Sequence, residues 1–403
     1  MTYFKKRFFA VFVCALGLWA FSGPHAFAKD KAGLKWGAEF DVELAYDSNI
    51  YKLSGIQKDR LDVNNTSDQI SGRFNDMESA GDFVTSPRFK PSLKLSGLGG
   101  RTFRITPSVT YNLYARNKEK NFLELGLDLS QDIGSKGKFT VELDYDPDVF
   151  RKNYLSDAVD TDGNGSISSS EKIFSAANYD ESSIAASYKH RLWKHAKGRR
   201  GYLGLDKVYG EVLVGFKKRD YDNPFENRSY DDIFAGTGLD MELGNDSKVS
   251  FSYLFADITT DVAGEVLIRN EPDFGVDFNG DGDTLDLDTR TVQNVDRSRN
   301  EHTLGVKGRT RIGKRWFAEA GYDVRFQLYK SDQRFDVTRL DRKDVRQRIN
   351  LGVKGKLAPK WTLGLDWTFS HEKASRDGLA SIDQAESKSY NRHVVAAVIS
   401  YKM

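Results

Sequence analysis

The stretch Arg299–Tyr329 reads RNEHTLGVKGRTRIGKRWFAEAGYDVRFQLY and shows the unit from which most of the chain is built. Apolar or small residues alternate with polar and charged residues over positions 302–312, and the alternation resumes over positions 316–328 after a short turn at Gly313. An alternation with a period of two predicts β-strands rather than helices. The stretch is therefore a hairpin with one apolar and one charged face.

Strand length separates two kinds of sheet that have such faces. In a water-soluble sandwich the apolar face packs on a second sheet, whereas in a membrane barrel it faces lipid and the charged face lines the lumen. The strands of this hairpin run for about 12 residues, closer to the 9–11 needed to cross a bilayer than to the 5–6 of soluble sheets. Their length favours a transmembrane barrel.

The N-terminal residues 1–28 have the organisation of a secretory signal peptide. Lys5, Lys6 and Arg7 form a positive segment, an apolar segment follows, and Ala26 and Ala28 precede a predicted cleavage site. The exported chain would then be a single domain, residues 29–403. The only cysteine, Cys14, lies in the signal segment, so disulfide and thiol chemistry are excluded from the exported chain.

Charge and composition exclude one class of partner. Without the three basic residues of the signal segment, 57 basic residues remain of 60, against 58 acidic residues, which gives a net charge of −1. No basic block is left to follow the phosphates of a nucleic acid. The composition, 39% hydrophobic and 29% charged, is compatible with a barrel because only alternate strand residues contact lipid.

The whole chain extends the pattern of the hairpin. Alternating segments predict an all-β, antiparallel, up-and-down transmembrane barrel of about 14 strands, with short and long connections in strict alternation. The three longest connections are predicted as surface loops over residues 47–87, 147–178 and 261–298. Because bacterial barrels have short periplasmic turns and long outer loops, the alternation predicts a location in the bacterial outer membrane.

Two further features fit this location. Tryptophans 36, 193, 316 and 361 all flank the predicted periplasmic connections, as an aromatic belt in contact with outer-membrane lipid would require. The last strand alternates up to Tyr401 and resembles the terminal strand that the outer-membrane assembly machinery recognises. Lipid and this machinery are therefore expected partners, whereas the oligomeric state is left open.

The second long loop contains the pattern of a calcium-binding EF-hand loop. Twelve residues, DTDGNGSISSSE, supply oxygens at the spacing that calcium requires, and Gly165 allows the sharp turn. No clear amphipathic helix precedes the loop. The expected ligands are Asp160, Asp162, Asn164, Ser166, Ser168 and Glu171.

A related pattern, DFNGDGDTLDLD, lies in the third long loop. It differs in closing on an aspartate, whose side chain is one methylene shorter than the usual glutamate. The expected ligands are Asp277, Asn279, Asp281, Asp283 and Asp288. Calcium is thus predicted to order the outer loops, the alternative being that both loops are ordinary solvated acidic segments.

Charges on the predicted inner face are sorted along the sequence. The expected pore-lining residues are acidic in the early strands and basic in the late strands: Glu39, Asp41, Glu43, Glu142, Asp144, Lys307, Arg309, Arg325, Arg346 and Arg348. Acidic and basic walls would then face or adjoin each other across a water-filled lumen. Alternatively, the charges pair into networks that fill the barrel. Arg346 and Arg348 are the candidates for a constriction or a contact with an anionic solute.

The segment AYDSNIY at residues 45–51, followed by a long polar loop and SPRFKPSLKL, resembles the start of porin-like outer-membrane barrels, in particular the β-barrel porin type 2 family. The resemblance covers the architecture of nearly the whole exported chain. It implies an outer-membrane pore, of a kind often associated with surface polysaccharide export, and does not identify a substrate. The calcium-like loops are additions to that pattern.

The expected function is a porin-like channel for passive diffusion of small polar solutes or saccharides. The main alternative is a calcium-dependent surface adhesin or structural barrel with a plugged lumen. A lipid-modifying outer-membrane enzyme is less favoured, because His302 and His393 lie on outward faces without a recognisable nucleophile motif. The sequence therefore predicts that the protein is not an enzyme.

Overall fold

The computed structural model describes residues 34–64, 74, 76–158, 172–195, 204–244, 246–260, 264–268, 291–331, 341–376 and 389–403. Fourteen long strands form one closed barrel, and two short strands form a separate hairpin. The all-β, antiparallel barrel predicted from the alternation is confirmed. Because the barrel is closed, none of the fourteen strands has an unpaired edge. A β-sheet in the hydrocarbon core of a bilayer requires this, since its backbone N–H and C=O groups find no water to bond there.

The barrel strands follow one another around the wall in chain order. They are β1 (Lys35–Asp47), β2 (Asp82–Ser96), β3 (Thr102–Tyr114), β4 (Phe122–Ile133), β5 (Gly137–Ala158), β6 (Lys172–Lys194), β7 (Leu205–Tyr221), β8 (Tyr230–Leu243), β9 (Ser247–Thr260), β12 (Arg299–Ile312), β13 (Trp316–Tyr329), β14 (Arg342–Ala358), β15 (Trp361–Arg376) and β16 (Tyr390–Lys402). The remaining pair is β10 (Gly264–Ile268) and β11 (Thr291–Val295).

The barrel closes between its first and last strands. β1 and β16 are antiparallel and pair from Glu39 opposite Lys402 to Asp47 opposite Val394. The hairpin predicted within residues 299–329 is formed by β12 and β13. The two strands pair from Arg299 opposite Tyr329 to Ile312 opposite Trp316. Its turn is made at Gly313, whose φ of 71° is readily adopted only by glycine.

The convex surface of the barrel is apolar and exposed. Leu304, Leu351 and Val395 are each about half exposed, and they belong to the alternating set that the sequence predicts to face lipid. In water such a surface would be unfavourable, since each exposed Å² of apolar surface costs about 25 cal/mol. In a bilayer it is the expected outer surface of a β-barrel.

Strands run further into the predicted loops than the alternation suggested. β2 begins at Asp82 rather than after residue 87, and Phe83 points outward with its ring centre 5.0 Å from that of Tyr46. β5 and β6 remain paired as far as Ala158 and Lys172. Three register shifts in this hairpin break the period of two while the pairing continues, so the alternation in sequence ends before the strands do.

The first and third predicted loops are not plain coil. The first contains a helix, α1 (Gly55–Asn64), and the third contains the β10–β11 hairpin. Among the described residues, no helix is long and apolar enough to cross a membrane. The connections at the other end of the barrel are mostly shorter, but the one between β6 and β7 is longer than the outer connections between β3 and β4 and between β7 and β8, so the predicted alternation of short and long connections is not strict.

Candidate functional site

Ion pairs between neighbouring strands line the inner wall of the barrel. Most of the predicted pore-lining residues take part in them. The pairs and their N–O distances are Glu39 with Lys402 (3.1 Å), Asp41 with Arg88 (2.6 Å), Lys307 and Arg309 with Glu319 (3.1 and 3.7 Å), Arg325 with Glu301 (3.1 Å) and Arg348 with Asp323 (2.7 Å). These six pairs agree with the alternative prediction, in which charges on the inner wall pair with one another.

The remaining acidic residues of the predicted set are not neutralised in this way. Glu43, Glu142 and Asp144 have no ion pair with any described residue, and Asp144 accepts a hydrogen bond from the Ser183 hydroxyl at 3.1 Å. Glu142 lies directly opposite another carboxylate, Asp128, across the β4–β5 ladder. The wall formed by β4 and β5 is therefore acidic.

The basic residues of the late strands lie across the lumen from this acidic wall. Around the closed sheet, β5 and β14 are seven strands apart in either direction, so they occupy opposite sides. β14 carries Arg346, Arg348, Lys354 and Lys356 on its inner face. Charge is thus separated across the lumen, which produces a transverse electric field on any solute inside.

Exposure of the inner wall changes along the barrel axis. Near the short turns the side chains of Lys307 and Lys402 remain 64% and 61% exposed. Near the long loops the side chains of Asp344 and Asp47 are only 1% and 7% exposed. The lumen is therefore open to water at its short-turn end and closely packed at its outer end.

The open part of the wall contains a polar recess of about 570 Å³. Serine, threonine, asparagine and glycine residues of β9, β12, β13, β14 and β15 form its floor, and Lys307, Glu319, Asp323, Arg348 and Asp366 surround them. A Cβ on Gly352 would lie 2.3 Å from the Asp366 carboxylate, so a larger residue there would displace that side chain. The recess offers many hydrogen-bonding groups to a polar solute.

The close packing at the outer end comes from the connection between β1 and β2. Its described parts, residues 48–64, 74 and 76–81, are called the inward loop below. Six of its side chains form an apolar core with Phe150 of β5, and Tyr114 of β3 packs against them. The six are Ile50, Tyr51, Leu53, Leu61, Phe74 and Met77. The loop therefore packs across the mouth of the barrel.

A buried polar network fixes the inward loop to the connection between β3 and β4. The Asn117 side chain, fully buried, accepts hydrogen bonds through Oδ1 from the Tyr51 hydroxyl at 3.1 Å and from the Glu78 backbone N–H at 3.0 Å. The Asp82 carboxylate in turn accepts from the backbone N–H and the side-chain amide of Asn117, at 2.8 and 2.9 Å. Both side chains are satisfied without water, which favours a single loop position.

A second set of contacts fixes the same loop to the closing strand β16. The Asp47 carboxylate accepts hydrogen bonds from Arg392, with Nε 2.9 Å from Oδ2. The Asn49 side chain donates to the backbone oxygens of Leu53 and Asn391 at 2.8 and 3.0 Å. The start of the loop is thus anchored where the barrel closes.

These contacts give a physical role to the segment on which the family resemblance was based. In YDSNIY, Asp47 and Asn49 bind β16, Ile50 enters the apolar core and Tyr51 donates to Asn117. The sequence pattern identified this segment as a motif but did not predict that it fixes the inward loop to the barrel. Arg392 and Asn117 carried no signal in the sequence, because their partners lie far away along the chain.

Two lysines, Lys52 of the inward loop and Lys120 of the connection between β3 and β4, lie in an environment that disfavours their charge. Burial lowers the pKa of Lys52 to about 7, and the nearby guanidinium groups of Arg151, Arg346 and Arg392 lower it further, with Glu372 acting in the opposite direction. Burial also lowers the pKa of Lys120 to about 7, again with Arg151 nearby. Both ammonium groups therefore lose their proton more readily than a lysine in water.

Neither predicted calcium loop can be located in the structure, since residues 160–171 and 277–288 lie outside the described residues. Within the described part of the chain, no group of three or more His, Cys, Asp or Glu residues is placed to hold a metal ion. The strands that flank the two loops are described. They are β5 and β6 for the first loop, and β10 and β11 for the second.

The two outward histidines lie among aromatic side chains. His302 Nδ1 is 2.9 Å from the Tyr253 hydroxyl, and its ring also packs on Phe255. The His393 ring centre is 4.8 Å from that of Phe369. At the opposite end of the barrel, Trp361 packs on Tyr401 with ring centres 4.8 Å apart. Aromatic residues therefore occur at both ends of the lipid-facing surface, as in the belts of membrane barrels.

A closed barrel of fourteen strands, with an apolar outer surface and a charged inner wall, defines the class of protein. The chain is a β-barrel protein of the bacterial outer membrane. Within lipid, only closed barrels and helices hydrogen-bond every backbone N–H and C=O group. The strands of this chain form a closed barrel.

No protein-family model matches the sequence, and no curated protein matches it. The resemblance to the β-barrel porin type 2 family therefore has no support at the level of the family. Among solved structures, the chain is similar to the outer membrane channel DcaP of Acinetobacter baumannii, with 10% identity, a TM-score of 0.42 and coverage of 93% of this chain and 99% of that chain.

Two further structures are similar to a comparable degree. The anion-selective porin from Comamonas acidovorans is 11% identical, with a TM-score of 0.36 and coverage of 92% of this chain and 99% of that chain. A mutant of the monoaromatic hydrocarbon channel TodX is 9% identical, with a TM-score of 0.41 and coverage of 95% and 93%. Because the identities and TM-scores are low, the barrel fold is established by the strand pairing of this chain. The solutes of these three proteins say nothing about the solute of this one.

Proposed function

We propose that the protein is a porin-like channel through which small polar solutes or saccharides diffuse passively, with its outer loops stabilised by calcium. The main observation in favour of a channel is the exposure of charged side chains at the short-turn end of the lumen. Lys307 and Lys402, for example, remain accessible to water. A lumen filled by its own side chains would bury them. The polar recess beside Lys307 provides a surface for hydroxyl groups.

The inward loop determines which solutes pass. It packs across the outer mouth, so the narrowest part of the channel lies between this loop and the strands that face it. A constriction near one mouth selects by size and charge, while the wider region beyond it allows rapid exchange. The charged walls orient dipolar solutes without strong retention.

The test is single-channel conductance of the refolded protein in planar bilayers. Stable ohmic current steps are expected, with a step size that falls when polymers small enough to enter the lumen are added. Polymers too large to enter serve as the control. Absence of current from protein shown to be folded would overturn the channel and favour the alternative, a surface adhesin or structural barrel whose lumen is plugged by the inward loop.

Calcium binding is proposed at residues 160–171 and 277–288. The first segment connects the paired ends of β5 and β6, and the second lies between the paired strands β10 and β11, so strand pairing holds both ends of each segment together. EF-hand loops usually lie between helices, and a hairpin replaces them here. Closing a hairpin end with an ion would reduce the electrostatic repulsion among its carboxylates.

Removal of calcium is expected to expose the outer loops to protease. Millimolar calcium should slow cleavage within residues 159–171 relative to excess chelator, and the double variant Asp160→Ala, Asp162→Ala should lose this protection. Its calcium affinity, measured by titration calorimetry, should fall by about tenfold or more, since loss of even an outer-shell partner costs roughly 10–100-fold. Asp59→Ala, at an exposed position of α1, is the control. Equal cleavage with calcium and with chelator would exclude calcium-dependent ordering.

A further inference from the structure

Strand pairing gathers short inward side chains into one sector of the inner wall. Gly321 of β13 lies opposite Asn350 of β14, which in turn lies opposite Thr368 of β15. Along β14 the sector is bounded by the longer side chains of Arg348 and Lys354. The polar recess of about 570 Å³ lies in this sector, and its short side chains are those of Ser250, Ser252, Gly305, Gly321, Asn350 and Thr368. The recess therefore results from the register of five strands.

The charged residues of the recess do not favour an anion. Lys307 pairs with Glu319 at 3.1 Å, and Arg348 pairs with Asp323 at 2.7 Å, so each basic group is neutralised from a neighbouring strand. With Asp366, the lining contains two basic and three acidic residues, which gives a net charge of −1. Hydrogen bonds, and not an excess of positive charge, are therefore what the recess offers to a solute.

Asp366 provides an exposed acceptor in the recess. Its carboxylate leans over β14, since a Cβ on Gly352 would lie 2.3 Å from one of its oxygens. It forms no ion pair with any residue that the structure describes. The described strand continues for ten residues beyond it, to Arg376, which is about 33 Å at ~3.3 Å per residue. The carboxylate is thus far from the long-loop end of β15.

Asn350 provides a matching donor. Its Oδ1 accepts a hydrogen bond from the Thr368 hydroxyl at 2.9 Å, which leaves the amide N–H groups for another acceptor, and no described residue accepts from them. The amide nitrogen would lie 3.7 Å from a Cβ on Gly321, so it projects over a glycine. Asn350 and Gly352 are neighbours on the inner face of β14, and the Asp366 carboxylate lies over Gly352. Donor and acceptor are therefore adjacent in the recess.

We propose that this recess is a binding site for a neutral saccharide, held through its hydroxyl groups. The site refines the proposed channel function and rests on it. Because a hydroxyl group both donates and accepts, neighbouring hydroxyls of one sugar can donate to the Asp366 carboxylate and accept from the Asn350 amide. Glycine at position 321 lets the sugar approach the backbone closely. A simple cation gains less from Asp366, since an exposed ion pair contributes little.

The experiment measures how strongly maltose blocks the ion current of the refolded protein in planar bilayers. Maltose should reduce the wild-type current, and Asp366→Asn should raise the half-blocking concentration about tenfold, because hydrogen bonds to a charged acceptor are roughly twice as strong as neutral ones. Asp128→Asn is the matched control. It removes the same charge from the inner face of β4, which lies seven strands from β13 in either direction, and maltose should block it like the wild type.

A methyl-capped oligo(ethylene glycol) of similar size separates recognition from obstruction. Its ether oxygens accept hydrogen bonds, but it has no hydroxyl group that could donate one to Asp366. It should block the wild-type current more weakly than maltose does, and it should block Asp366→Asn to the same extent as the wild type. Equal block of the wild type by the two solutes would show that size alone decides, and would overturn the site.

A second variant fills the recess without changing its charge. Gly321→Leu is expected to fold, because a Cβ at this position would meet no atom closer than 3.7 Å. It should lose the maltose block while still conducting ions. Gly37→Leu is its control, since it places the same side chain on the inner face of β1, outside the recess, where a Cβ would lie 3.4 Å from the nearest atom. Maltose should block this control like the wild type.

Equal maltose block in the wild type, Asp366→Asn and Gly321→Leu would overturn the saccharide site and leave the channel standing. Absence of current from folded protein would overturn the channel. The site is then decided by titration calorimetry of maltose into the folded wild type and Asp366→Asn. Equal maltose affinity in the two proteins would overturn it, whereas weaker binding in the variant would support it independently of transport.

Discussion

Replacing Asn117 with alanine is expected to increase the single-channel conductance roughly twofold or more, because conduction depends on the diameter of the pore at its narrowest point. The substitution removes the acceptor for the Tyr51 hydroxyl and for the Glu78 backbone N–H. Each buried donor left without a partner costs about 1–3 kcal/mol. The inward loop should therefore leave its packed position for much of the time, while the strands of the barrel remain paired.

The measurement pairs conductance in planar bilayers with protease cleavage of residues 48–81, which should accelerate in the variant. Tyr51→Phe removes only one hydroxyl group from the same network and should give a smaller change in the same direction. Asn178→Ala is the control, because it removes an asparagine whose side chain donates to Asp148 on the exposed part of the β5–β6 hairpin. If Asn117→Ala conducts like the wild type although its loop is cleaved faster, the inward loop does not form the constriction.

Replacing Asp47 with alanine is expected to destabilise the barrel by about 2–3 kcal/mol. Loss of one partner from a buried ion pair typically costs about 3–5 kcal/mol, and the value here is lower because solvent screens the exposed part of Arg392. The Asp47 side chain is 7% exposed and that of Arg392 is 34% exposed. The pair joins the first strand to the last, so its loss weakens the position at which the barrel closes.

Urea unfolding of the protein refolded into lipid vesicles measures this effect. Glu39→Ala is the matched control, since Glu39 also pairs across β1 and β16 but Lys402 is 61% exposed. Exposed pairs contribute about 0–1 kcal/mol, so this variant should unfold close to the wild type. The double variant Asp47→Ala, Arg392→Ala should recover part of the lost stability. Equal effects of Asp47→Ala and Glu39→Ala would show that burial of the Asp47 pair contributes nothing.

The ion pairs of the inner wall show why charge sorting along a sequence is ambiguous. The early acidic and late basic residues were expected either to face each other across water or to pair. The structure has both, since Glu142 lacks a cationic partner among the described residues while Arg348 binds Asp323 on the neighbouring strand. Register decides which occurs, and register follows from the pairing of whole strands rather than from any single residue.

Position in the barrel also separates the two arginines that the sequence suggested for a constriction. Arg348 is held by Asp323 at 2.7 Å, whereas Arg346 lies opposite Glu372 in the β14–β15 ladder. They are two residues apart on β14 and equivalent in their alternation. Of the two, only Arg348 has an ion pair with a described residue.

The sequence by itself determined the class of fold, the number of strands and the side of each strand that faces lipid. These properties depend on the period-two alternation and on the lengths of the connections, which are local and repeat fourteen times. The tertiary structure alone decided that the inward loop packs across the mouth, and that Asp47 and Asn117 hold it there. Arg392, the partner of Asp47, comes near only when β16 pairs with β1, and the partners of Asn117 lie on a different connection, so no local pattern encodes either contact.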